Sequence, residues 1–148
     1  VMDYLKDVEP RAVKRLQELE ENEEEEYWEV LIELAEALEE VEELEQEEPE
    51  YAALYERILQ GEIKIETLGD AIRNEDSEPE REKLRAELKA LLPVAFEDRL
   101  NETRMELEFL QREVEEVKAE WERLNTNKEK IIERRYNEVT GADDDLEW

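Results

Sequence analysis

Carboxylates are the one class of side chain present here in numbers that could do acid–base or metal chemistry. The chain of 148 residues holds 40 Glu and 8 Asp, and it has no His and no Cys. Without His, the usual general base, the Ser-His and Cys-His nucleophile pairs and the commonest metal ligand are all missing. Without Cys there is no thiolate site and no disulfide framework. The three glycines, Gly61, Gly69 and Gly141, are too few and too scattered to build a phosphate-cradling loop.

Carboxylates alone can hold magnesium when their spacing places them together on helix faces. Nucleotide pyrophosphohydrolases of the MazG type do this with Glu-x-x-Glu followed by Glu-x-x-Asp. Glu36/Glu39 and Glu40/Glu43 satisfy the first half, as any Glu-rich helix would. No Asp in the chain has a Glu three residues before it, so the second half is missing. Di-iron helical bundles need Glu-x-x-His and are disfavoured in the same way. Calcium sites fold oxygen ligands around the ion with a Gly-containing loop, which a straight helix face does not provide. The reading is therefore of a protein that is not an enzyme, with no metal and no cofactor.

The elements that carry these residues are helices. Charged residues make up 46% of the chain, Gly and Pro are scarce, and Glu, Leu, Ala, Arg and Lys favour helix over sheet. Apolar residues recur at helical spacing, which argues against disorder for most of the chain. Asp7 is placed to cap a helix from near Val8, with Pro10 in its first turn. Glu23 to Glu26 mark a bend or a solvated stretch. Tyr27, Leu31, Leu34, Leu38 and Val41 then follow 4-3-4-3 spacing, with Trp28 and Ala35 broadening the stripe. Pro49 ends this pattern by disfavouring helix at Glu48.

Between residues 50 and 92 the spacing predicts short helices. One carries Tyr51, Leu54, Tyr55, Ile58 and Leu59 and stops at Gly61. An extended connector with Ile63 and Ile65 follows, then a short helix with Leu68, Ala71 and Ile72. Asn74 to Pro79 reads as a loop. Ser77 and Glu80 match a capping box for a helix with Leu84, Leu88, Leu91 and Leu92, which Pro93 breaks or kinks.

The clearest pattern lies behind Pro93. Leu100, Thr103, Leu107, Leu110, Val114, Val117, Trp121, Leu124, Lys128 and Ile131 step by three and four residues in alternation. This is a heptad seam interrupted at Lys128. Ile132, Tyr136 and Val139 continue it one notch round, as a stutter produces, and Gly141 ends it. Trp28, Trp121, Tyr27, Tyr51, Tyr55 and Tyr136 all sit on apolar stripes and are expected to pack in a core.

These elements predict an all-α fold, an elongated antiparallel helical hairpin or coiled coil. One helical domain over 1–140 comprises a long arm at 8–47, short helices at 50–92 and a second long arm at 93–140. A helix over 93–139 would be roughly 70 Å long, against about 40 Å for a compact globule of this chain length. Charge favours pairing the two arms. Residues 16–56 hold 19 Glu and no Lys or Arg, whereas 81–135 hold 13 basic and 14 acidic residues. The second arm would offer Arg99, Arg104, Arg112, Lys118 and Arg123 as neighbours to the first. A parallel homodimer of the second arm is the alternative, facing Glu113 with Lys118 but Arg99 with Arg104.

The tail at 141–148 differs from the rest. It leaves the helix at Gly141, carries Asp143, Asp144, Asp145 and Glu147, and ends on Leu146 and Trp148 around them. It looks like the acidic, aromatic-terminated tips of bacterial single-stranded-DNA-binding proteins. It also looks like the acidic-tryptophan peptides that bind kinesin light chains. The resemblance covers eight residues and implies a flexible tip docking Leu146 and Trp148 into an apolar pocket rimmed by cations.

The net charge of −28 repels nucleic acid and anionic membrane. It is compatible with a high-salt organism, although exposed helix positions also select Glu. No apolar run approaches a membrane span, and no basic-then-apolar leader opens the chain. The expectation is a cytoplasmic protein or a component of an assembled particle. Its partners would be proteins with a basic surface or further copies of itself, with no direct contact to nucleic acid or membrane. The expected function is a non-catalytic structural, scaffold or adaptor protein working through helix faces and the acidic face of Glu21, Glu24, Glu25, Glu29, Glu36, Glu40 and Glu43. The alternative is an acidic binding module: a nucleic-acid mimic or a chaperone for a basic protein.

Overall fold

A computed structural model of the chain describes residues 1–142. All regular structure among them is helical: α1 Met2–Val8, α2 Pro10–Asn22, α3 Glu24–Glu47, α4 Pro49–Asn74, α5 Glu78–Thr126 and α6 Lys128–Thr140. The chain divides into two compact units, Val1–Met105 and Glu106–Trp148, with the boundary inside α5.

Three single-residue breaks shape the first unit. Glu9 is extended (φ −154°, ψ 93°) between α1 and α2, and Pro10 supplies the first helical position behind it. The cap of α2 is thus Glu9 rather than Asp7: its carboxylate accepts from the Arg11 backbone N–H at 3.2 Å. Glu23 (φ −143°, ψ 66°) breaks the chain at the start of the all-acid run, and Glu48 (φ −136°, ψ 73°) breaks it before Pro49. The predicted arm at 8–47 is therefore not one rod. Its turns let α1, α2 and α3 fold onto one another, which a continuous helix could not do.

The core forms where these helices meet α4. Leu5, Ala12, Leu16 and Leu34 are buried together, with Val30, Leu31, Leu38, Leu59 and Ile63 packed around them. Ala52, Leu54, Ile58 and Leu68 of α4 and Val41 of α3 are also buried. With only Glu48 between them, α3 and α4 run antiparallel. The Tyr55 hydroxyl donates to Glu40 at 2.7 Å across this pair. The partner of the acidic arm is thus α4, not the second arm: α4 is its neighbour in sequence, so closing the pair costs little loop entropy.

Residues 50–92 are not a run of short helices. α4 continues through Gly61, and Ile63 and Ile65 are helical. Gly inside a helix costs about 1 kcal/mol relative to Ala. Burial of Leu68, with Ile63 partly buried against the core, offsets it, since a fully buried large apolar side chain contributes about 1.5–3 kcal/mol. Gly61 also sits under α5, where a Cβ at this position would lie 3.7 Å from Ala95 Cβ. Only Glu75, Asp76 and Ser77 are left as a loop. The capping box is replaced by other contacts: the Ser77 backbone N–H binds the Glu75 carboxylate at 3.0 Å, and Glu80 pairs with Lys83. α5 then runs unbroken through Pro93, which is exposed.

The first part of α5 returns along α4. Arg57 meets Asp98 at 3.2 Å, Arg99 meets Glu62 at 3.1 Å, and Arg11 of α2 reaches Glu87 at 2.6 Å. Leu84, Leu88, Leu91, Ala95, Asp98, Glu102 and Met105, spaced by four and three, are the half-buried face of this segment.

The second unit is the rest of α5, then Asn127 (φ −99°, ψ 11°) and α6. The interruption predicted at Lys128 falls beside this one-residue distortion at Asn127, across which the Asn127 N–H still binds the Arg123 carbonyl at 3.1 Å and the Ile131 N–H the Asn127 carbonyl at 2.9 Å. Gly141, at φ 72°, ends α6 in the left-handed conformation that glycine adopts without steric cost, and the Ala142 N–H binds the Asn137 carbonyl at 3.0 Å. The tail residues Asp143, Asp144, Asp145, Leu146 and Trp148 lie outside the described residues.

Candidate interaction surface

The heptad seam lies at the surface. Leu100, Leu107, Leu110, Val114, Val117, Trp121, Leu124 and Ile131 are all exposed, from 37% at Ile131 to 70% at Val117. Phe96, one heptad before Thr103, is 63% exposed and extends the stripe backwards. Trp121 is therefore not a core residue, and neither is Trp28, which is 53% exposed on α3 beside Tyr27 and near exposed Ile32. Tyr136 is also exposed, while Tyr27, Tyr51 and Tyr55 are half-buried.

The helical geometry explains the exposure at the start of the seam. At 100° per residue, Phe96 and Leu100 point roughly opposite to Leu91, Ala95 and Asp98, the face turned toward α4. The helix carries two apolar stripes here, and only one is used inside the first unit. Beyond Met105 the described residues of the second unit are the rest of α5, Asn127, α6 and the turn that ends it, and among them no further element is present to cover the stripe.

Charge flanks the seam asymmetrically. One edge carries Glu106, Glu113 and Glu120; the other carries Arg104, Gln111, Lys118 and Asn125. Arg123, three residues on, binds Glu120 at 2.7 Å and holds its carboxyl below the usual range. Lys118 pairs with Glu115 at 3.1 Å, and Arg99 is held by both Glu62 and Glu102. Arg99, Lys118 and Arg123 thus bind acids on their own helix or on α4.

The acidic face is a separate surface. Glu21, Glu24, Glu25, Glu29, Glu36, Glu40 and Glu43 are all exposed. Glu26 shares a side-chain hydrogen bond with Glu23, and this bond, followed by the repulsion between the two charges, raises its carboxyl. Glu40 binds Tyr55, which pushes that phenol up to about 12. Among the described residues no cluster of acids is arranged to hold a metal ion.

The cationic side of the first unit is already neutralised. A groove of about 290 Å³ between α2 and the end of α4 is lined by Arg11, Lys14, Arg15 and Asp70. Arg11 binds Glu9 and Glu87, Arg15 binds Asp70 and Glu66, and Lys14 meets Glu18. A smaller void of about 60 Å³ under Leu5, Ala12, Leu16 and Leu34 is lined mostly by apolar side chains. Among the described residues no helix is long and apolar enough to cross a membrane. No protein-family model, curated protein or solved structure matches this chain.

Proposed function

We propose that the chain is a non-catalytic coiled-coil structural or assembly protein, an adaptor that joins other proteins through the seam of its long helix α5. The supporting observation is a regular heptad stripe of large apolar residues left about half exposed. Burying the remaining surface of each is worth about 1 kcal/mol, half the full value for such side chains. Summed along the seam, this is enough to drive association once ordering costs are met. Work as a spacer or scaffold in the cytoplasm or in an assembled particle fits this reading, and catalysis does not: incubation with nucleoside triphosphates and magnesium is expected to give no turnover.

The test is the double variant Leu110→Glu/Val117→Glu. Both side chains are exposed, so the first unit keeps its fold. Association, read as light-scattering mass, is expected to be lost while circular dichroism stays helical. An associated state that survives the variant would sink the proposal.

A second reading is favoured by the acidic face, where every named glutamate is exposed and residues 16–56 contain no Lys or Arg. The chain would then be an acidic binding module for a basic protein, as a nucleic-acid mimic or a chaperone. Binding that weakens steeply with salt supports it, and salt-insensitive binding counts against it.

A further inference from the structure

We propose that the seam over residues 106–124 pairs with the same segment of a second copy, parallel and in register. This rests on the seam being an association surface and names its occupant and orientation.

The argument is charge complementarity. With Leu107, Val114 and Trp121 at the first core position of each heptad and Leu110, Val117 and Leu124 at the fourth, the flanking rows are fixed. In a parallel pair each residue of the acidic row faces the residue five places on in the other chain. Glu113 then meets Lys118 of the second copy, twice by symmetry, with Lys118 shared with Glu115 of its own helix. Glu106 meets Gln111 and Glu120 meets Asn125, which are uncharged and can donate hydrogen bonds.

Along the flanking rows the antiparallel pair is worse. It sets each row against its own kind, so that Glu113 faces Glu120 in both directions and Lys118 finds only Gln111. No attractive pair is formed. In register, every apolar layer from Leu107 to Leu124 is paired; a slip by one heptad leaves one heptad of each chain's segment uncovered.

The sequence alone leaves two objections to a parallel pair, Arg99 facing Arg104 and Lys128 facing Lys128. The structure places both outside the pairing segment, with Lys128 opening α6 behind Asn127. Arg99 lies in the first unit and is held by Glu62 at 3.1 Å and Glu102 at 3.2 Å. Its charge is balanced before any partner arrives. The pairing segment begins after Met105, where the second unit begins.

The chain has no cysteine, so single cysteines report geometry without background. Leu107→Cys and Leu124→Cys are made separately in the full chain and oxidised. A parallel, in-register pair gives a covalent dimer from each variant alone, together with a dimeric light-scattering mass for the unmodified chain. Covalent dimer only from a mixture of the two variants overturns the parallel arrangement while leaving the seam as an association surface. A monomeric mass up to the highest soluble concentration overturns the second copy as occupant, again without touching the broader reading. An oligomer whose mass is unchanged by Leu110→Glu/Val117→Glu overturns both.

Discussion

Leu68 and Leu110 are the same residue on two helices in opposite surroundings, and replacing each by Ala tests which surfaces hold the first unit together. Leu68 is 1% exposed on α4, while Leu110 is 47% exposed on α5. Full truncation of a buried Leu removes its transfer energy and leaves a cavity, at about 2–5 kcal/mol. Leu68 has no exposed surface to discount, so about 3 kcal/mol is expected. At about 4 °C per kcal/mol for a unit of this size, the melting temperature falls by roughly 12 °C. Leu110 already has half its surface in water and leaves no closed cavity, so the dilute chain loses under about 1 kcal/mol. The assay is thermal and urea unfolding followed by helical ellipticity, run at low and high chain concentration. Leu68→Ala should cost the same at both. Leu110→Ala should cost more at high concentration, where association adds to stability by mass action. Equal losses for the two variants, or a Leu68→Ala loss below about 1 kcal/mol, would refute the assignment of the core to α4 and of α5's seam to the surface.

Arg11→Ala should destabilise the first unit by about 2 kcal/mol, because it leaves buried Glu9 without its cation and unties Glu87; Arg11→Lys should recover part of the loss, and urea unfolding of the two variants checks this. Tyr55→Phe tests the bond to Glu40. The Tyr55 phenol is raised by that bond to about 12 from an ordinary value of 10, so the stability it contributes is full below pH 10 and lost as pH rises toward 12. The unfolding midpoint of the parent chain should therefore exceed that of Tyr55→Phe at neutral pH and converge with it across this window. Glu26 is raised by Glu23, so its ionisation opposes folding and the penalty grows as pH climbs through the carboxylate range. Added salt, or Glu26→Gln, should raise the melting temperature at pH 7, and salt should add less on the variant.

The sequence by itself determined that the chain is helical, where several helices end and which face of each is apolar. Pro49, Glu48 and Gly141 mark boundaries by backbone sterics, which act on one or two residues and are legible without a fold. The alternation of three and four from Leu100 to Leu124 fixed the seam in the same local way. Only tertiary structure decided continuity and partnership. α4 passes through Gly61 because Ile63, Thr67 and Leu68 find a core beyond it, and no local scale contains that burial. Periodicity names an apolar face but not what covers it, so the acidic arm went to α4 and the seam of α5 stayed in water. Charge misled for a related reason. Lys118 and Arg123 have acids three residues away on their own helix, and attraction that falls with separation and is screened by water goes first to such near neighbours.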